Sequence, residues 1–400
     1  MKGNKKTFAI ICITALITCL LTNTYRDIMF VQKNGKINYK VSSVANILNE
    51  YSIFDIDEEK AADYAAIGMA SAVDDIYTVY YPEDEFSSYK TILSNSFCGV
   101  GVTIVSDIEN DRIVVESVVE GSPAEKAGIT KGDVIIGVDD TKFSANQLSE
   151  AADAMSGANE ENPKGTIVKV TVERNGERID CFVTRDEVKI NSVTEKMITG
   201  TKIGYMRISA FNIKDQNSEN ALDTYDEFVE SLEILRESGM EKLIIDLRGN
   251  PGGSLDIVTK IADEILPEGI VTYTLDKKGK RVDYTSKEGE LNIPIAVLVN
   301  GESASAAEVL TGALKDYEKA TVIGTKTYGK GIVQTVFPLN DGSGLSVTTS
   351  KYYSPKGNCI HEIGIEPDMV VEMDKGLDIS TIGYDSDIQL KKAVEYLKSN

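Results

Sequence analysis

Two side chains late in the sequence, Ser305 and Lys330, are of types that together can attack a carbonyl carbon. A serine hydroxyl becomes a nucleophile when a neighbouring base takes its proton, and a lysine amine can be that base if burial lowers its pKa. Lys330 stands between Gly329 and Gly331, so backbone can approach closely and little side-chain bulk surrounds the amine. The chain has one histidine, His361, and nothing in its segment marks it as a catalytic base. The residue types therefore favour a serine nucleophile with a lysine base.

The serine stands where a predicted strand turns into a predicted helix. Residues 293–299 are apolar and rich in β-branched side chains, as in a buried strand, and residues 303–318 repeat apolar side chains at helical spacing. Unpaired N–H groups at a helix start can hold an oxyanion beside the hydroxyl. A plainer interpretation also fits, because Ser305 and Glu308 have the spacing of a capping box, in which the serine only caps the helix.

Two further features belong to the same pattern. Residues 332–337 alternate as a strand does, so Lys330 and Gln334 are predicted to project from one face of it. Residues 248–253 are a glycine-rich loop after another apolar strand, 243–247, and such a loop exposes N–H groups at the start of the next helix. It could equally bind a phosphate or simply turn the chain.

These motifs resemble the carboxy-terminal processing peptidases, the tail-specific family of serine proteases. The resemblance covers the chain from about residue 40 onward and includes the segment 243–253, Leu-Ile-Ile-Asp-Leu-Arg-Gly-Asn-Pro-Gly-Gly. It implies the roles of nucleophile, base and orienting amide for Ser305, Lys330 and Gln334. No matched position departs from the expected residue type, so an active enzyme is expected.

The resemblance also implies how the oxyanion is held and which fold surrounds it. The N–H of Gly252 or Gly253, together with that of Ala306, would form the oxyanion hole. The protease core, residues 188–375, is expected to be a crotonase- and ClpP-like α/β domain. The fold class is therefore α+β multidomain, with a PDZ-like unit inserted before the core and a helical segment at the N-terminal end.

Residues 96–187 are predicted to form that inserted unit. Short β-branched runs with a helical stretch near 145–156 indicate a compact, partly open β-barrel. The run Gly99-Val100-Gly101-Val102, followed by the glycine-flanked segments 121–128 and 132–135, resembles a PDZ domain. The resemblance implies that Gly99, Val100, Gly101 and Val102 take a terminal carboxylate and that the next strand accepts an extended peptide. A barrel without a ligand is the alternative.

The remaining regions read as helices. Residues 26–95 are predicted to be a helical region, with Asp57 capping the second helix. The resemblance implies that this region takes part in a homodimer, and plain packing within the chain is the alternative. The first long helix of the core is predicted over 217–238, capped by Asp215 or Ser218. Residues 376–400 end in an amphipathic helix that could pack on the core or on a partner subunit.

Residues 1–25 are predicted to anchor the chain in the cell membrane. Lys2, Lys5 and Lys6 precede an apolar run from Phe8 to Leu21, and no small-residue cleavage site follows. The positive charges place the N-terminus in the cytoplasm and the catalytic body outside. An uncleaved, single-pass signal anchor is therefore expected, with a cleaved signal peptide as the alternative.

Composition and spacing argue against several other classes. The net charge of −21 is spread along the chain, which disfavours nucleic-acid binding. Cys98, Cys181 and Cys359 lack metal-ligand spacing, and no metal or cofactor is expected. Residues 324–331 nearly match a phosphate-binding loop but end in Gly331, which has no hydroxyl for magnesium. The expected partners are protein substrates, and the rival function is a membrane-tethered PDZ scaffold with an inactive core.

Overall fold

The computed structural model describes residues 18, 22, 35–94, 96–119, 121–158, 160, 163–189, 191–214, 222–373, 379 and 384–399. The chain divides into two compact units, Met1–Pro82 and Glu83–Asn400. The predicted membrane anchor lies outside the described residues except for positions 18 and 22. Within the described ranges, no helix combines the length and the apolar character needed to cross a membrane.

The first unit is mainly helical, as predicted. Residues 35–51 form helix α1, α2 spans Glu58–Ser71, and a short strand, β1, spans Val79–Tyr81. Asp57 caps α2 by accepting a hydrogen bond of 3.0 Å from the N–H of Lys60, which confirms the predicted cap. Many large apolar side chains of this unit are exposed, among them Tyr39, Val44, Ile47, Tyr51, Ile53, Phe54, Tyr64, Met69, Val73 and Ile76.

The second unit begins with the region predicted to be PDZ-like. Its elements in chain order are α3 (Glu83–Ser94), β2 (Ser96–Gly99), β3 (Val102–Asp107), β4 (Arg112–Val118), α4 (Pro123–Lys126), β5 (Val134–Val138), α5 (Leu148–Ser156), β6 (Ile167–Arg174), β7 (Glu177–Thr184) and β8 (Asp186–Lys189). Strands β3 to β7 form an antiparallel sheet in sequential order, and β2 pairs with β8. Alternate residues of β6, including Val168, Val170 and Val172, are fully buried in the core of this region.

The rest of the second unit is the α/β core. Its elements are β9 (Val193–Met197), β10 (Ile203–Ile208), α6 (Thr224–Glu237), β11 (Lys242–Asp246), α7 (Leu255–Ile265), β12 (Gly269–Asp276), β13 (Arg281–Ser286), β14 (Ile295–Val299), α8 (Ala306–Asp316), β15 (Ala320–Gly324), β16 (Ile332–Pro338), β17 (Gly344–Tyr353), β18 (Met369–Val370) and α9 (Ile388–Ser399). A six-stranded sheet runs in the order β18-β15-β14-β11-β10-β9, and only β9 is antiparallel to its neighbour.

The central strands are buried on both faces, as their continuous apolar sequences predict. Leu243 and Ile245 of β11 face the cluster that includes residues of α6, α7 and α8, while Ile244 faces the cluster that includes α9. The C-terminal helix therefore packs on the core sheet, through Leu390, Ala393, Val394 and Leu397.

One predicted helix starts later than expected. The sequence pattern suggests a helix over 217–238, whereas α6 begins at Thr224 and is capped by Asp223, which accepts a 2.9 Å hydrogen bond from the N–H of Asp226. Asp215 and Ser218, the predicted caps, lie outside the described residues.

A second group of strands completes the core. β17 pairs antiparallel with β16 and with β12, and β12 pairs with β13. The connection from β16 to β17 is a hairpin, so residues on these two strands lie opposite one another across the pair.

Candidate active site

Ser305 lies between the end of β14 and the first residue of α8. Its φ is 55°, a left-handed value that is rare and strained for a residue with a side chain. Strain of this kind persists only where the surroundings hold it, and it is concentrated at functional sites. Ser305 therefore has a strained backbone conformation that an ordinary helix cap does not require.

A cavity of about 420 Å³ brings Ser305 together with the two other predicted catalytic residues, Lys330 and Gln334. Lys330 and Gln334 are both half-buried. The remaining lining side chains are mostly apolar: Tyr89, Phe211, Ile213, Pro251, Leu255, Ala306, Val309, Ile332, Val333, Val336 and Tyr352. An extended peptide with apolar side chains near the reacting bond suits such a lining.

Glu308 joins the serine segment to the lysine segment. Its carboxylate is 1% exposed, and Oε2 accepts both the N–H of Ser305 at 2.9 Å and the N–H of Lys330 at 2.8 Å. Oε1 accepts the N–H of Gly329 at 2.8 Å and the hydroxyl of Thr327 at 2.6 Å. A buried carboxylate with four donors is well satisfied, so Glu308 fixes the loop that carries the lysine against the start of α8.

Tyr352 of β17 makes a second connection between the same two residues. Its buried hydroxyl lies 2.9 Å from the carbonyl oxygen of Ser305 and 2.6 Å from that of Lys330, and donates to this pair of acceptors. Burial, together with the nearby negative charge of Glu308, raises the pKa of Tyr352 well above its ordinary value, so the hydroxyl stays a donor. Ser305 and Lys330 are thus held through both their N–H and their C=O groups.

The glycine loop after β11 lies directly beside Ser305. The N–H of Ala304 donates to the carbonyl of Asn250 at 2.9 Å, and a Cβ at Gly252 would lie 2.7 Å from the Cβ of Ser305. Gly252 has a φ of 105°, so its lack of a side chain permits both the close approach and the backbone conformation. The glycine loop and the segment of Ser305 therefore pack as one surface.

The predicted oxyanion donors differ in whether their N–H groups are already bonded. The N–H of Gly252 donates to Oδ1 of Asn250 at 2.7 Å. The N–H groups of Gly253 and Ala306 have no acceptor among the described residues, and both residues line the cavity. Because the N–H of Gly252 is already bonded, the N–H of Gly253 is the better candidate to act with that of Ala306 in the predicted oxyanion hole.

Phe211 holds the backbone of Gly253 in place. The carbonyl of Phe211 accepts the N–H of Ser254 at 2.7 Å, and its N–H donates to the carbonyl of Gly252 at 2.9 Å. A Cβ on Gly253 would lie 2.2 Å from the carbonyl oxygen of Phe211, so only glycine fits here.

Arg248, at the start of the glycine loop, anchors it from inside the core. The guanidinium is fully buried and pairs with Asp246 at 2.6 Å and with Asp387 at 2.7 Å. It also donates to Oε1 of Gln389 at 3.0 Å. Although burial alone opposes the charged form, the two carboxylates raise the pKa of Arg248 above its ordinary value.

Lys330 and Gln334 meet in the cavity for a reason that differs from the predicted one. β16 begins only at Ile332, so Lys330 belongs to the loop before the strand, and a β-bulge lies between Val333 and Gln334. The prediction that both residues project from one face of a regular strand is therefore wrong for Lys330, which precedes the strand, while the bulge places its extra residue in β17.

In the PDZ-like region, the predicted carboxylate loop joins β2 to β3. Gly99 ends β2, Val102 begins β3, and Val100 is buried. Gly101 has a φ of 85°, and a Cβ there would lie 2.4 Å from the Cβ of Ser122. The loop is thus shaped by close packing against the start of α4, and β3 is the first strand in its sheet.

Several residues of the site were missed by reasoning from the sequence. In the sequence Glu308 has only the spacing of a capping box, and no motif assigns a role to Tyr352, Asn250, Phe211 or Tyr89. The histidine considered as a rival base, His361, does not line the cavity.

Comparisons with known proteins match both the α/β core and the PDZ-like region to known families. The model of peptidase family S41 matches residues 202–371, and that of the PDZ domain matches residues 91–173. A probable CtpA-like serine protease of Staphylococcus aureus is 35% identical over 379 residues, 92% of this chain and 73% of the relative. A carboxyl-terminal-processing protease of Synechocystis is 34% identical over 341 residues, 84% of this chain and 76% of the relative.

A solved structure, a putative S41 protease from Bacteroides fragilis, covers 90% of this chain and 97% of its own with a TM-score of 0.57. At 19% identity this likeness shows the fold alone. The crotonase- and ClpP-like comparison and the partly open barrel stay predictions.

The fold and the site together define a serine-type peptidase that carries a PDZ domain. The chain belongs to peptidase family S41, together with the carboxyl-terminal-processing serine proteases.

Proposed function

We propose that this chain is a membrane-anchored endopeptidase that cleaves protein substrates near their C-termini by a serine–lysine mechanism. Ser305 is the nucleophile, Lys330 its base and Gln334 the amide that orients the lysine. The observation that carries the proposal is the shared acceptor: the N–H groups of Ser305 and Lys330 both donate to Oε2 of Glu308, and both side chains line one cavity.

In the first half of the reaction, neutral Lys330 takes the hydroxyl proton of Ser305 as Oγ attacks the substrate carbonyl carbon. The C–N bond then breaks, and the lysine ammonium gives its proton to the leaving amine. In the second half, Lys330 takes a proton from a water molecule whose oxygen attacks the acyl carbon. The ester C–O bond then breaks, and the lysine ammonium returns its proton to Oγ of Ser305. The N–H groups of Gly253 and Ala306 stabilise the oxyanion in both halves.

The PDZ domain is proposed to bind the C-terminal residues of the substrate and to control access to the active site. Val100 and Gly101 supply N–H groups for the carboxylate, and β3 accepts the peptide as an added strand. Control of access is supported by α3, because it carries Tyr89 in the catalytic cavity and leads into β2 and the carboxylate loop. A shift of the loop would therefore move a side chain at the active site.

Residues 1–25 are proposed to hold the enzyme in the cell membrane with its catalytic body outside, on the support of Lys2, Lys5, Lys6 and the apolar run after them. N-terminal sequencing of membrane-bound protein should then find Met1 intact. A free N-terminus beyond the apolar run would contradict the anchor.

A homodimer through the first unit is proposed because its helices expose many large apolar side chains, including Ile47 and Tyr51. Light scattering should report a dimer for the native protein and a monomer for Ile47→Glu. A monomeric native protein would remove this part of the proposal.

The catalytic assignment is tested with a peptide that ends in a free carboxylate and with a serine-reactive probe. Ser305→Ala should lose both cleavage and labelling, and Lys330→Ala should lose cleavage while it remains folded. Lys326→Ala is the matched control, because this lysine is exposed and pairs with Glu366 at the surface. Full turnover by Lys330→Ala would reject the mechanism, and equal cleavage of an amidated peptide would reject the role of the PDZ domain.

A further inference from the structure

The side-chain amide of Gln334 is held by a residue on the neighbouring strand. Its Nε2 donates a hydrogen bond of 3.1 Å to Oγ1 of Thr348, and both side chains are partly buried. Among the described residues, no hydrogen bond involves Oε1 of the same amide. The amide nitrogen of Gln334 is therefore bonded to Thr348, and the amide oxygen can still accept a hydrogen bond.

A β-bulge makes this contact possible. Val333 pairs with Ser350, but the next residue, Gln334, pairs with Thr348, so the register shifts between them. In an unbroken antiparallel register Gln334 would lie opposite Thr349 instead. Bulges beside active sites re-aim side chains, and this one selects Thr348 as the cross-strand neighbour of the orienting amide.

The orientation of an amide matters to a lysine base. An amide oxygen accepts an N–H of the amine and leaves the nitrogen lone pair for the serine hydroxyl. A flipped amide would present its N–H groups to that lone pair and would compete with the hydroxyl. In the structure Nε2 is the end of the amide that is bonded to Oγ1 of Thr348, so this contact leaves Oε1 for the amine, as in the first orientation.

We propose that Thr348 is a positioning residue, which acts on Lys330 by holding the Gln334 amide with Oε1 toward the amine. This inference rests on the proposed roles of Lys330 and Gln334. It also assigns a function to the bulge, since a regular pairing of β16 and β17 would remove the contact.

Thr348→Val keeps the β-branched shape and removes the hydroxyl. We expect kcat to fall about 3- to 10-fold, the range that corresponds to one net hydrogen bond, with KM unchanged. Thr348→Ser should restore kcat, because it returns the acceptor. Thr349→Val is the matched control, since Thr349 is the adjacent residue and its hydroxyl pairs with Thr335 at 2.8 Å on the other face.

A double-mutant cycle with Gln334→Ala separates positioning from a general structural effect. If Thr348 acts through the amide, Thr348→Val should have no further effect on kcat in the Gln334→Ala background. Equal losses in both backgrounds, or an unchanged kcat in Thr348→Val, would overturn the inference. Thr348→Ala repeats the cycle if the valine variant has a lowered Tm.

A different result would reject the proposed mechanism itself, namely cleavage of the peptide by Lys330→Ala. An inactive Lys330→Ala combined with an additive cycle would reject the role of Thr348 alone.

Discussion

The backbone N–H groups of Ser305 and Lys330 share a single acceptor, Oε2 of Glu308, at 2.9 and 2.8 Å. Two segments that are distant in sequence are thereby fixed to one atom, and the hydroxyl of Tyr352 repeats the connection on their carbonyl side. The relative position of the proposed nucleophile and the proposed base is therefore set by hydrogen bonds of their backbones.

Replacing Glu308 by glutamine should remove most of the activity. The carboxylate accepts four hydrogen bonds, whereas a glutamine amide would turn an NH₂ group toward donors. We expect the free energy of unfolding to fall by about 3 kcal/mol and kcat to fall at least tenfold. Chemical denaturation and steady-state kinetics measure the two effects. Glu302→Gln, an exposed charge in the turn before Ser305, is the control and should change neither.

Removing the hydroxyl of Tyr352 should loosen the same pair of residues from the other side. Tyr352→Phe leaves two partly buried carbonyl groups without their shared donor, so we expect kcat to fall about tenfold and stability to fall by about 1–3 kcal/mol. Peptide cleavage and Tm report the two changes. Tyr353→Phe is the neighbouring control, because that ring stacks on Tyr273 and lies outside the cavity lining. Unchanged turnover in Tyr352→Phe would show that Glu308 alone suffices.

A methyl group on Gly253 should disable the proposed oxyanion hole. The new Cβ would lie 2.2 Å from the carbonyl oxygen of Phe211, so the loop must shift and its N–H must turn away. Loss of one such donor lowers kcat about 100- to 1,000-fold. Gly279→Ala is the control: its φ is also positive, at 77°, but no atom lies within 4 Å of the new Cβ. It should cost some stability and leave kcat unchanged.

The PDZ domain should be sensitive to acid through Asp133. Burial alone raises the pKa of this carboxyl, but hydrogen bonds from Arg174 and the N–H of Thr130 outweigh it, so the pKa is lowered. A lowered carboxyl pKa adds stability at pH values above the unfolded pKa of about 4, and that stability is lost as the pH falls through the folded pKa.

Arg174→Met should therefore lower Tm near neutral pH, and its difference from the native protein should shrink below about pH 4. Calorimetry over this range measures the difference. Arg178→Met is the control on the next strand, because its contact with Asp180 is 4.0 Å long and exposed. A difference that stays constant with pH would assign the effect to packing by Arg174.

Much of the site could be predicted because its signals are local. The strand before Ser305, the helix after it and the glycine loop at 248–253 each follow from apolar spacing or from glycines at a turn. The sequence predicts these elements correctly, but it does not reveal which side chains connect them. Glu308 has the spacing of a helix cap, and nothing near it in sequence reveals that Gly329 and Lys330 bond to the same carboxylate.

The errors have equally physical causes. The start of α6 was misplaced because residues before Asp223 share its polar character, while the cap is set by the Asp223–Asp226 pair. The bulge at Gln334 was not foreseen, because one extra residue in the partner strand leaves no mark on the alternation of β16 itself.

The ion pair of Arg248 with Asp387 has a consequence for the order of events during biogenesis. A growing polypeptide that has been translated only as far as β18 already carries Ser305 and Lys330, but Arg248 still lacks Asp387 and Gln389. We therefore expect the loop that ends at Gly253 to settle only after α9 docks against the sheet. Hydrolytic competence should then arrive late in maturation, once the helix that begins at Ile388 has closed the core.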